Sequence, residues 1–272
     1  MKKQKGDSLN TGKQLMPRQS QRNITRWKIF SHALKMALES LVVEKDIDNQ
    51  PLKIGPIDVG GAGLYGINLK NANFYVAGFR DADLSKADFS NATLHIAYFM
   101  RARLFGTNFQ SASFYDVSLR HALYDDDTQF PDGLDPAEKA KAYRISPKAN
   151  LQEAMLVQAM LWDVDLEGAN LQGADMRGAI IGGEKSNFRN ADLQQANLWR
   201  ARAAKADLTG ATLRNASLRE ANLEDVKLTN ADLYGADLSG ARNITVKQIQ
   251  SAQNWEQATY DSDFYKELGL LS

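Results

Sequence analysis

An apolar residue recurs at every fifth position over most of this chain, and this period constrains the fold more than any other feature. From Val59 to Leu119 each step of five lands on Val, Leu or Phe. A second run extends from Leu151 to Leu238, with a slip of two residues at 184–185. These central positions number 31, and Ala stands two residues before 24 of them. Because a period of five fits neither a helix nor a strand, the chain must turn a corner about every five residues.

The two recurring apolar positions define a narrow interior. Ala is almost the only residue accepted at one inward position, while Leu or Phe fills the other. Asp or Asn commonly precedes the central residue, as at Asp83, Asp88 and Asn197. These side chains suit turns, because they can bond the backbone amides of the turn. The pattern therefore predicts a filled coil with polar corners.

The repeated triplet Ala-Asp-Leu, at 82–84, 191–193, 206–208, 231–233 and 236–238, resembles the A-(D/N)-L-x-x motif of the pentapeptide-repeat family. The resemblance implies an all-β solenoid, a right-handed quadrilateral β-helix with four repeats per coil. The repeats would then form nearly eight coils and, at the ~4.8 Å spacing of neighbouring strands, a rod roughly 37 Å long. Since each coil pairs only with its neighbours, the rod needs a cap at each end.

Breaks in the period divide the chain into six segments. They are a basic arm that we expect to be disordered (1–24), a capping helix and lead-in (25–51), block 1 of the repeats (52–123), an insertion loop (124–148), block 2 of the repeats (149–242) and a helical cap (243–272). The names block 1 and block 2 are kept below.

The N-terminal segments combine positive charge with an amphipathic helix. Residues 1–30 carry a net charge of +7 and the remainder −7, although the whole chain is neutral. Thr25 is expected to cap a helix that continues to about Val43, with one apolar stripe formed by Trp27, Phe30, Leu34, Ala37, Leu38 and Leu41. The stripe predicts a cover for the open first coil. An alternative is peripheral contact of residues 1–43 with a membrane surface or a partner groove.

Two further helices are expected outside the repeats. Asp135-Pro136 resembles the start of a short helix that reaches Tyr143, within an insertion that bulges from one side of the rod. Thr245 is expected to begin a second capped helix, through Gln257, that covers the last coil. The long insertion and the Asn-Trp-Glu segment near the C-terminus resemble cyanobacterial members of the family.

The composition argues against several classes of function. The chain has no Cys, which excludes disulfides and thiolate sites and fits a cytoplasmic location. The only stretch that approaches a membrane span, residues 29–43, is too short and too polar. The segment Gly61 to Gly66 matches a dinucleotide-binding pattern, and Asp125, Asp126, Asp127 and Asp132 invite a calcium hypothesis, but neither has the required context. Since a filled rod offers no concave pocket, we expect no enzyme activity, cofactor or metal.

Residues twenty positions apart should lie above one another on the same face of the rod. This stacking predicts an outward group of aromatic and branched side chains, the candidate partner site, formed by Tyr75, His95, Ile96, Tyr98, Met100 and Tyr115. Such side chains are typical of interface hot spots. The alternatives are that these residues are merely scattered on the surface, or that the insertion or the N-terminal helix covers them.

The expected function is that of a monomeric, non-enzymatic scaffold that binds an unidentified protein, in a regulatory role. The resemblance implies a second hypothesis, because some family members imitate duplex DNA and bind type II topoisomerases, and some cyanobacterial members regulate heterocyst differentiation. Nucleic acid is the disfavoured partner, since the body carries only −7 and arginines such as Arg177, Arg200 and Arg219 interrupt any acidic stripe. The third hypothesis is membrane or groove binding by the basic N-terminal helix.

Overall fold

The computed structural model describes residues 21–44, 51–138 and 140–270, and the side chains of its first helix from residue 31 onward. The elements in chain order are α1 (Gln21–Val43), β1 (Lys53–Ile54), β2 (Ile57–Asp58), β3 (Asn73–Gly78), β4 (Thr93–Tyr98), β5 (Ser113–Ser118), β6 (Leu123–Tyr124), β7 (Tyr143–Arg144), α2 (Val246–Gln250), a 3₁₀ turn (Trp255–Gln257) and α3 (Ser262–Glu267). Most pairings between coils are single bridges rather than named strands.

The repeats form a four-sided β-solenoid. Away from the slip and the insertion, paired residues of neighbouring coils are parallel and stand twenty positions apart, as Asn73 pairs with Thr93 and Thr93 with Ser113. Single bridges keep the same offset on the other sides, as between Asp83 and Arg103. An offset of twenty is four repeats of five residues, so the predicted four-sided coil is confirmed.

The predicted register is also confirmed. Of the 31 central residues, all except Phe114 are buried, and the preceding Ala residues lie inward beside them. The central residue Ile54 is buried as well, so the stack begins one repeat earlier than the sequence indicated. In block 1 the phenyl rings of successive coils stack, with 4.9 Å between the ring centroids of Phe79 and Phe99.

The repeat of residues 88–92 shows how each corner is made. The N–H of Ala92 donates to the carbonyl of Phe89 at 3.0 Å, and Asn91 between them has φ 57°. A hydrogen bond from the fourth residue to the first, with a left-handed third residue, defines a type II turn. The Asp88 carboxylate accepts the N–H of Ser90 at 2.8 Å, as expected for a turn Asp.

The slip in block 2 is an insertion of two residues at one corner. Asp165 pairs with Asn187, an offset of 22 residues, and Asn170 pairs with Asp192 at the same offset. Gly183 turns the chain here with φ 134°, a conformation that residues with a Cβ rarely adopt. After this corner, from Phe188 onward, the period of five resumes unchanged.

The insertion separates two hydrophobic cores and contains no helix in its described residues. Asp135 accepts the N–H groups of Ala137 and Glu138, as a helix cap would, but the chain continues as turns. Tyr143 and Arg144 instead form β7 beside β6. The predicted helix is therefore wrong. A helix this short is marginal by itself, and the residues at its expected end pair with β6 instead. Apolar residues of the insertion pack against the core of block 1, namely Tyr124, Phe130, Leu134 and Ala140.

Helix α1 covers the first coil of block 1. The Lys35 ammonium donates to the carbonyls of Tyr65 and Gly66, both at 3.0 Å, and the Glu39 carboxylate accepts the N–H of Asn68 at 2.9 Å. The first coil has no preceding coil, so these side chains take the place of a neighbouring backbone. Leu38 is buried beneath the helix, and Leu34, Leu41 and Val42 pack beside it.

The start of α1 differs from the prediction. The helix begins at Gln21, so Thr25 lies inside it and is not its cap. Gln21 and Arg22 are good helix formers, which explains why the helix extends upstream. The expected disorder of residues 1–24 thus fails for 21–24, and residues 1–20 lie outside the described part of the chain.

The last coil is covered by helical turns that alternate with ladder bridges. Thr245 caps α2 in a capping box with Gln248, as the sequence indicated, but the helix ends at Gln250 and not at Gln257. It ends because Gln253 and then Thr259 pair back with the preceding coil. In the described residues no helix has the length and apolar character needed to cross a membrane.

Candidate partner-binding site

Three aromatic side chains form a continuous outward stack on the face of block 1 that carries the six-residue strands. Tyr75, His95 and Tyr115 each follow the central residue of their strand and pair in register. The ring centroids lie 5.5 Å apart for Tyr75 and His95, and 6.1 Å apart for His95 and Tyr115. The Lys53 ammonium lies 4.1 Å from the centroid of the Tyr75 ring. These four residues are called the aromatic column below.

The aromatic column is open to solvent. The exposed fraction is 37% for Tyr75 and 56% for Tyr115, and His95 is also exposed. The described parts of α1 and of the insertion therefore leave these side chains accessible. Neighbouring rings, tilted by 56° and 32° relative to one another, that remain exposed form a contiguous apolar and polarisable surface, unlike apolar residues scattered singly.

The column stands beside two residues with strained backbones. Val76 and Ile96 follow Tyr75 and His95 and have φ values of 56° and 57°. All 31 predicted repeats have a residue with positive φ at this position, but among the non-glycine residues with positive φ these two alone are β-branched. A β-branched residue with φ above zero is an outlier, and left-handed conformation costs roughly 1–2 kcal/mol for a residue with a Cβ. Both side chains are half-buried.

Tyr98 and Met100 lie on the next side of the coil. Tyr98 ends β4 and is 44% exposed, and Met100 is half-buried after the following central residue. Arg80 and Arg120 stand twenty positions before and after Met100 and are exposed. The predicted site thus divides into the stack with Ile96 on one side and the pair Tyr98 and Met100 around the corner.

The sequence reasoning missed Lys53, and it placed Val76 in the outward column without recognising its strained backbone. Lys53 precedes the central residue Ile54 and pairs with Asn73, whereas the ring residues follow their central residues, so the offset of twenty does not place Lys53 in the column. Only the position of its ammonium over the Tyr75 ring shows the contact. Val76 was visible in sequence as a β-branched residue at the left-handed corner position. Its significance depends on the backbone angle, which the pattern alone did not supply.

The two blocks meet at a buried arginine. The guanidinium carbon of Arg103 lies 4.5 Å from the ring centroid of Phe105 and 4.0 Å from that of Trp162. Its Nη2 donates to the Trp162 carbonyl at 3.2 Å, while its Nε and Nη1 are buried without hydrogen-bond partners in the described residues. Desolvation lowers the pKa of Arg103, and the charges of Asp83, Asp163 and Asp125 oppose this effect.

Carboxylates line a cleft of about 250 Å³ at this junction. They belong to Asp125, Asp126, Asp127, Asp163 and Asp165. Asp125 accepts the N–H of Gly106 at 2.8 Å and the hydroxyl of Thr128 at 2.8 Å, and Asp126 pairs with Arg144. The described residues contain no group of three or more acidic or histidine side chains that could hold a metal ion.

The segment Gly61 to Gly66 belongs to the coil. Ala62 and Leu64 within it are inward and buried, and the chain continues as turns. Gly61 and Gly66, with φ values of 71° and 61°, therefore serve the corners of the first coil, and Gly63 pairs with Asp83.

Comparisons with known proteins agree with the repeat. The family model described as pentapeptide repeats matches eight copies, at residues 61–95, 148–183, 186–225 and 206–242. These matches fall in block 1 and block 2, apart from the last insertion residue, and leave residues 1–60, 96–147, 184–185 and 243–272 unmatched. A comparison with curated protein sequences gave no match.

Solved structures with some likeness are also pentapeptide-repeat proteins. HetL, a protein involved in heterocyst differentiation regulation from the cyanobacterium Nostoc sp. strain PCC 7120, is 26% identical over 77% of this chain and 89% of its own, with a TM-score of 0.27. QnrB1, a plasmid-mediated fluoroquinolone resistance protein, is 15% identical over 80% and 93%, with a TM-score of 0.29. A second Nostoc protein is 27% identical over 41% and 93%, with a TM-score of 0.27. The assignment of the repeat rests on the five-residue period and on the family model, which finds pentapeptide repeats in both blocks of this chain.

Proposed function

We propose that this chain is a non-enzymatic scaffold that binds a protein partner through block 1, in a regulatory role. The observation that carries the proposal is the exposed stack of Tyr75, His95 and Tyr115. Tyr side chains in a contiguous patch are enriched among the residues that dominate binding energy. The proposed site also includes Ile96, Tyr98 and Met100.

Backbone strain supports the same location. Strained residues persist where the surrounding structure holds them, and they cluster at functional sites. Val76 and Ile96 keep left-handed backbones beside the column, whereas block 2 places Gly, Asn, Asp or long polar residues at the same corner. If stability alone determined the sequence of block 1, Asn or Gly would be expected at these two corners.

The surface charges of block 2 disfavour the DNA-mimic alternative. A mimic needs an uninterrupted acidic surface, and here arginines neutralise neighbouring carboxylates. Arg200 pairs with Glu220 at 2.6 Å and Arg214 with Asp232 at 2.9 Å. Further pairs of this kind are Arg177 with Asp175, Arg189 with Asp207, and Arg219 with Asp237.

The test compares two double variants of the full chain. Tyr75→Ala with Tyr115→Ala removes both ends of the stack, and it should weaken the partner complex by several kcal/mol, the range of aromatic hot spots. The partner is first captured from an extract of the source organism, then purified and titrated calorimetrically. Thermal unfolding should hardly change, because both side chains point outward.

The matched control is Lys70→Ala with Gln110→Ala. These exposed residues stand forty positions apart on the neighbouring corner of block 1, as Tyr75 and Tyr115 do on theirs. Binding should be unchanged in this variant. Equal affinity of the aromatic variant and the control would refute the proposed site, and loss of binding only on removal of residues 1–20 would move the site to the basic arm.

A further inference from the structure

Two exposed arginines of block 1 have no partner within the described part of the chain. Arg80 and Arg120 are open to solvent, and their guanidinium groups make no hydrogen bond, ion pair or ring contact with the described residues. Their neighbour Arg101 differs, because it binds the Asp81 carboxylate through two hydrogen bonds of 2.6 and 2.7 Å. The described residues therefore leave the charges of Arg80 and Arg120 without a counter-ion.

Arg80, Met100 and Arg120 lie above one another on successive coils. The N–H of the residue after Arg80 donates to the Met100 carbonyl at 3.0 Å, and the N–H of the residue after Met100 donates to the Arg120 carbonyl at 3.1 Å. The His121 N–H donates to the Lys141 carbonyl at 2.9 Å, so Lys141 follows Arg120 in the stack. Arg80, Met100, Arg120 and Lys141 are called the basic strip. At the ~4.8 Å spacing of neighbouring strands, the Cα atoms of the two arginines lie about 10 Å apart.

The basic strip places like charges on adjacent coils. Arg120 and Lys141 are neighbours in the stack, and like charges that face one another across strands are destabilising. The half-buried imidazole of His121 lies beside them and stacks on Tyr143, with 5.6 Å between the ring centroids. Desolvation lowers the pKa of this imidazole, and the charges of Arg120, Arg101 and Lys141 lower it further. A positive potential therefore extends over this corner of block 1.

We propose that the basic strip binds an acidic segment of the protein partner, with one carboxylate at Arg80, another at Arg120 and an apolar side chain over Met100. A guanidinium group binds a carboxylate through two parallel hydrogen bonds, and both guanidinium groups are available for this geometry. Arg and Met are enriched at the centre of protein interfaces. The inference rests on the proposed role of block 1 in protein binding, since Met100 and its neighbour Tyr98 belong to the proposed site.

A protein segment fits the basic strip better than a nucleic acid does. Met100 interrupts the row of cations, and a thioether offers nothing to a phosphate backbone, whereas it suits an apolar side chain. Residues 31–272 carry a net charge of −7, so the body of the chain repels an extended polyanion. A short segment with two carboxylates meets only the local positive potential.

The spacing of the coils matches the turns of an α-helix that lies along the rod. A helix rises ~5.4 Å per turn, close to the ~4.8 Å between neighbouring coils. Residues seven positions apart on a helix share one face and lie about 10 Å apart, as Arg80 and Arg120 do. The bound segment therefore carries Glu or Asp at positions i and i+7, with Leu or Met at i+3 or i+4 opposite Met100.

The test uses a synthetic Ala-rich helical peptide with Glu at i and i+7 and Leu at i+3 and i+4. It is titrated at low salt, where exposed ion pairs are least screened, into the full ¹⁵N-labelled chain, and NMR follows the arginine Nε–H signals. The signals of Arg80 and Arg120 should shift together. The apparent Kd should be at least about fivefold lower than for a peptide with Gln in place of both Glu residues.

A third peptide separates spacing from charge. Its Glu residues stand at i and i+5, on different faces of the helix, and it should bind as weakly as the Gln peptide. Equal binding of all three peptides, or shifts confined to the arginines of the basic arm, would overturn the proposal. A duplex DNA oligonucleotide that shifts the signals of Arg80 and Arg120 when the Glu peptide does not would also overturn it, in favour of a nucleic acid.

Two double variants test the strip directly. Arg80→Gln with Arg120→Gln should weaken binding of the Glu peptide about fivefold or more. The matched control is Arg177→Gln with Arg219→Gln, since these exposed arginines flank Trp199 in block 2 as the first pair flanks Met100, but each already binds an aspartate. The control should keep the wild-type affinity. Equal losses in both variants would reduce the effect to net charge and refute the strip.

The purified partner separates this inference from the proposed function. The expected result is that Arg80→Gln with Arg120→Gln weakens the partner complex and reduces the dependence of its affinity on salt. If Tyr75→Ala with Tyr115→Ala weakens the complex while the arginine variant leaves affinity and salt dependence unchanged, the proposed function stands and only this inference falls. The reverse result would remove the aromatic site and keep the basic strip.

Discussion

Block 1 and block 2 follow the same five-residue rule but differ in their core residues, corner residues and surface charges. Block 1 has stacked phenyl rings inside, six-residue strands on one face, and β-branched residues in left-handed corners. Block 2 has a mainly Leu core, single bridges between coils and ion pairs between neighbouring surface residues. Block 2 thus pairs many of its surface arginines with carboxylates, whereas block 1 has neighbouring exposed rings and β-branched residues with left-handed backbones.

The difference teaches where to look for function in a uniform repeat. Because both blocks place Ala and a larger apolar residue inward in nearly every repeat, the interior does not indicate which block binds a partner. The differences in corner residues and surface charges are what distinguish the block proposed to bind a partner. Natural sequences that are otherwise locally consistent depart from local rules mainly at functional or strained sites.

The largest expected effect tests what the blocks share. Ala87→Leu in block 1 and Ala206→Leu in block 2 should each lower the free energy of unfolding by about 1–3 kcal/mol or more, because both side chains are fully buried and the narrow core cannot accept more volume. Denaturant titration measures the loss. Wild-type stability in either variant would show that the register of that block is misassigned.

A second prediction concerns the contact between the blocks. Arg103→Ala removes a buried cation that lies over the rings of Phe105 and Trp162, and it should cost about 1–2 kcal/mol, the range for desolvated cation–π contacts. It should also speed proteolysis of the insertion, which joins the cores. The control Arg189→Ala breaks only an exposed ion pair with Asp207 and should hardly change stability. Equal effects of the two variants would argue against a junction held by Arg103.

A third prediction exchanges corner residues between the blocks. Val76→Asn should raise the free energy of unfolding by about 0.5–1 kcal/mol, because relief of the left-handed strain exceeds the loss of a half-buried side chain. Asn190→Val in block 2, where φ is 55°, should lower it by about 1 kcal/mol. Thermal melts of both variants give the signs. A destabilised Val76→Asn would mean that packing, not strain, decides this corner.

The sequence was sufficient to predict the coil, because the narrow interior requires the same two inward residue types in every repeat of five. The sequence pattern failed to predict the ends and the insertion. There the backbone conformation depends on competition between local hydrogen bonds and pairing with the neighbouring coil. Thr245 was recognised as a cap, yet Gln253 and Thr259 rejoin the ladder and break the expected helix. The column followed from the offset of twenty, but the half-burial of Phe114 could not, because it depends on how the insertion passes the end of block 1.

The smallest expected effect is the acid sensitivity of block 2. The hydrogen bond from Arg177 lowers the pKa of Asp175, and those from Arg200 and then Trp199 lower the pKa of Glu220. A carboxyl whose pKa is lower in the folded state contributes its stability above the unfolded pKa, near 4, and loses it as the pH falls through the folded value. The urea midpoint, followed by tryptophan fluorescence, should therefore hold from pH 7 to about 5 and decline below about 4. Asp175→Asn should reduce that decline and Gln158→Ala, an exposed non-titrating change, should not, so identical pH profiles in both variants would show that these pairs do not distinguish block 2 from block 1.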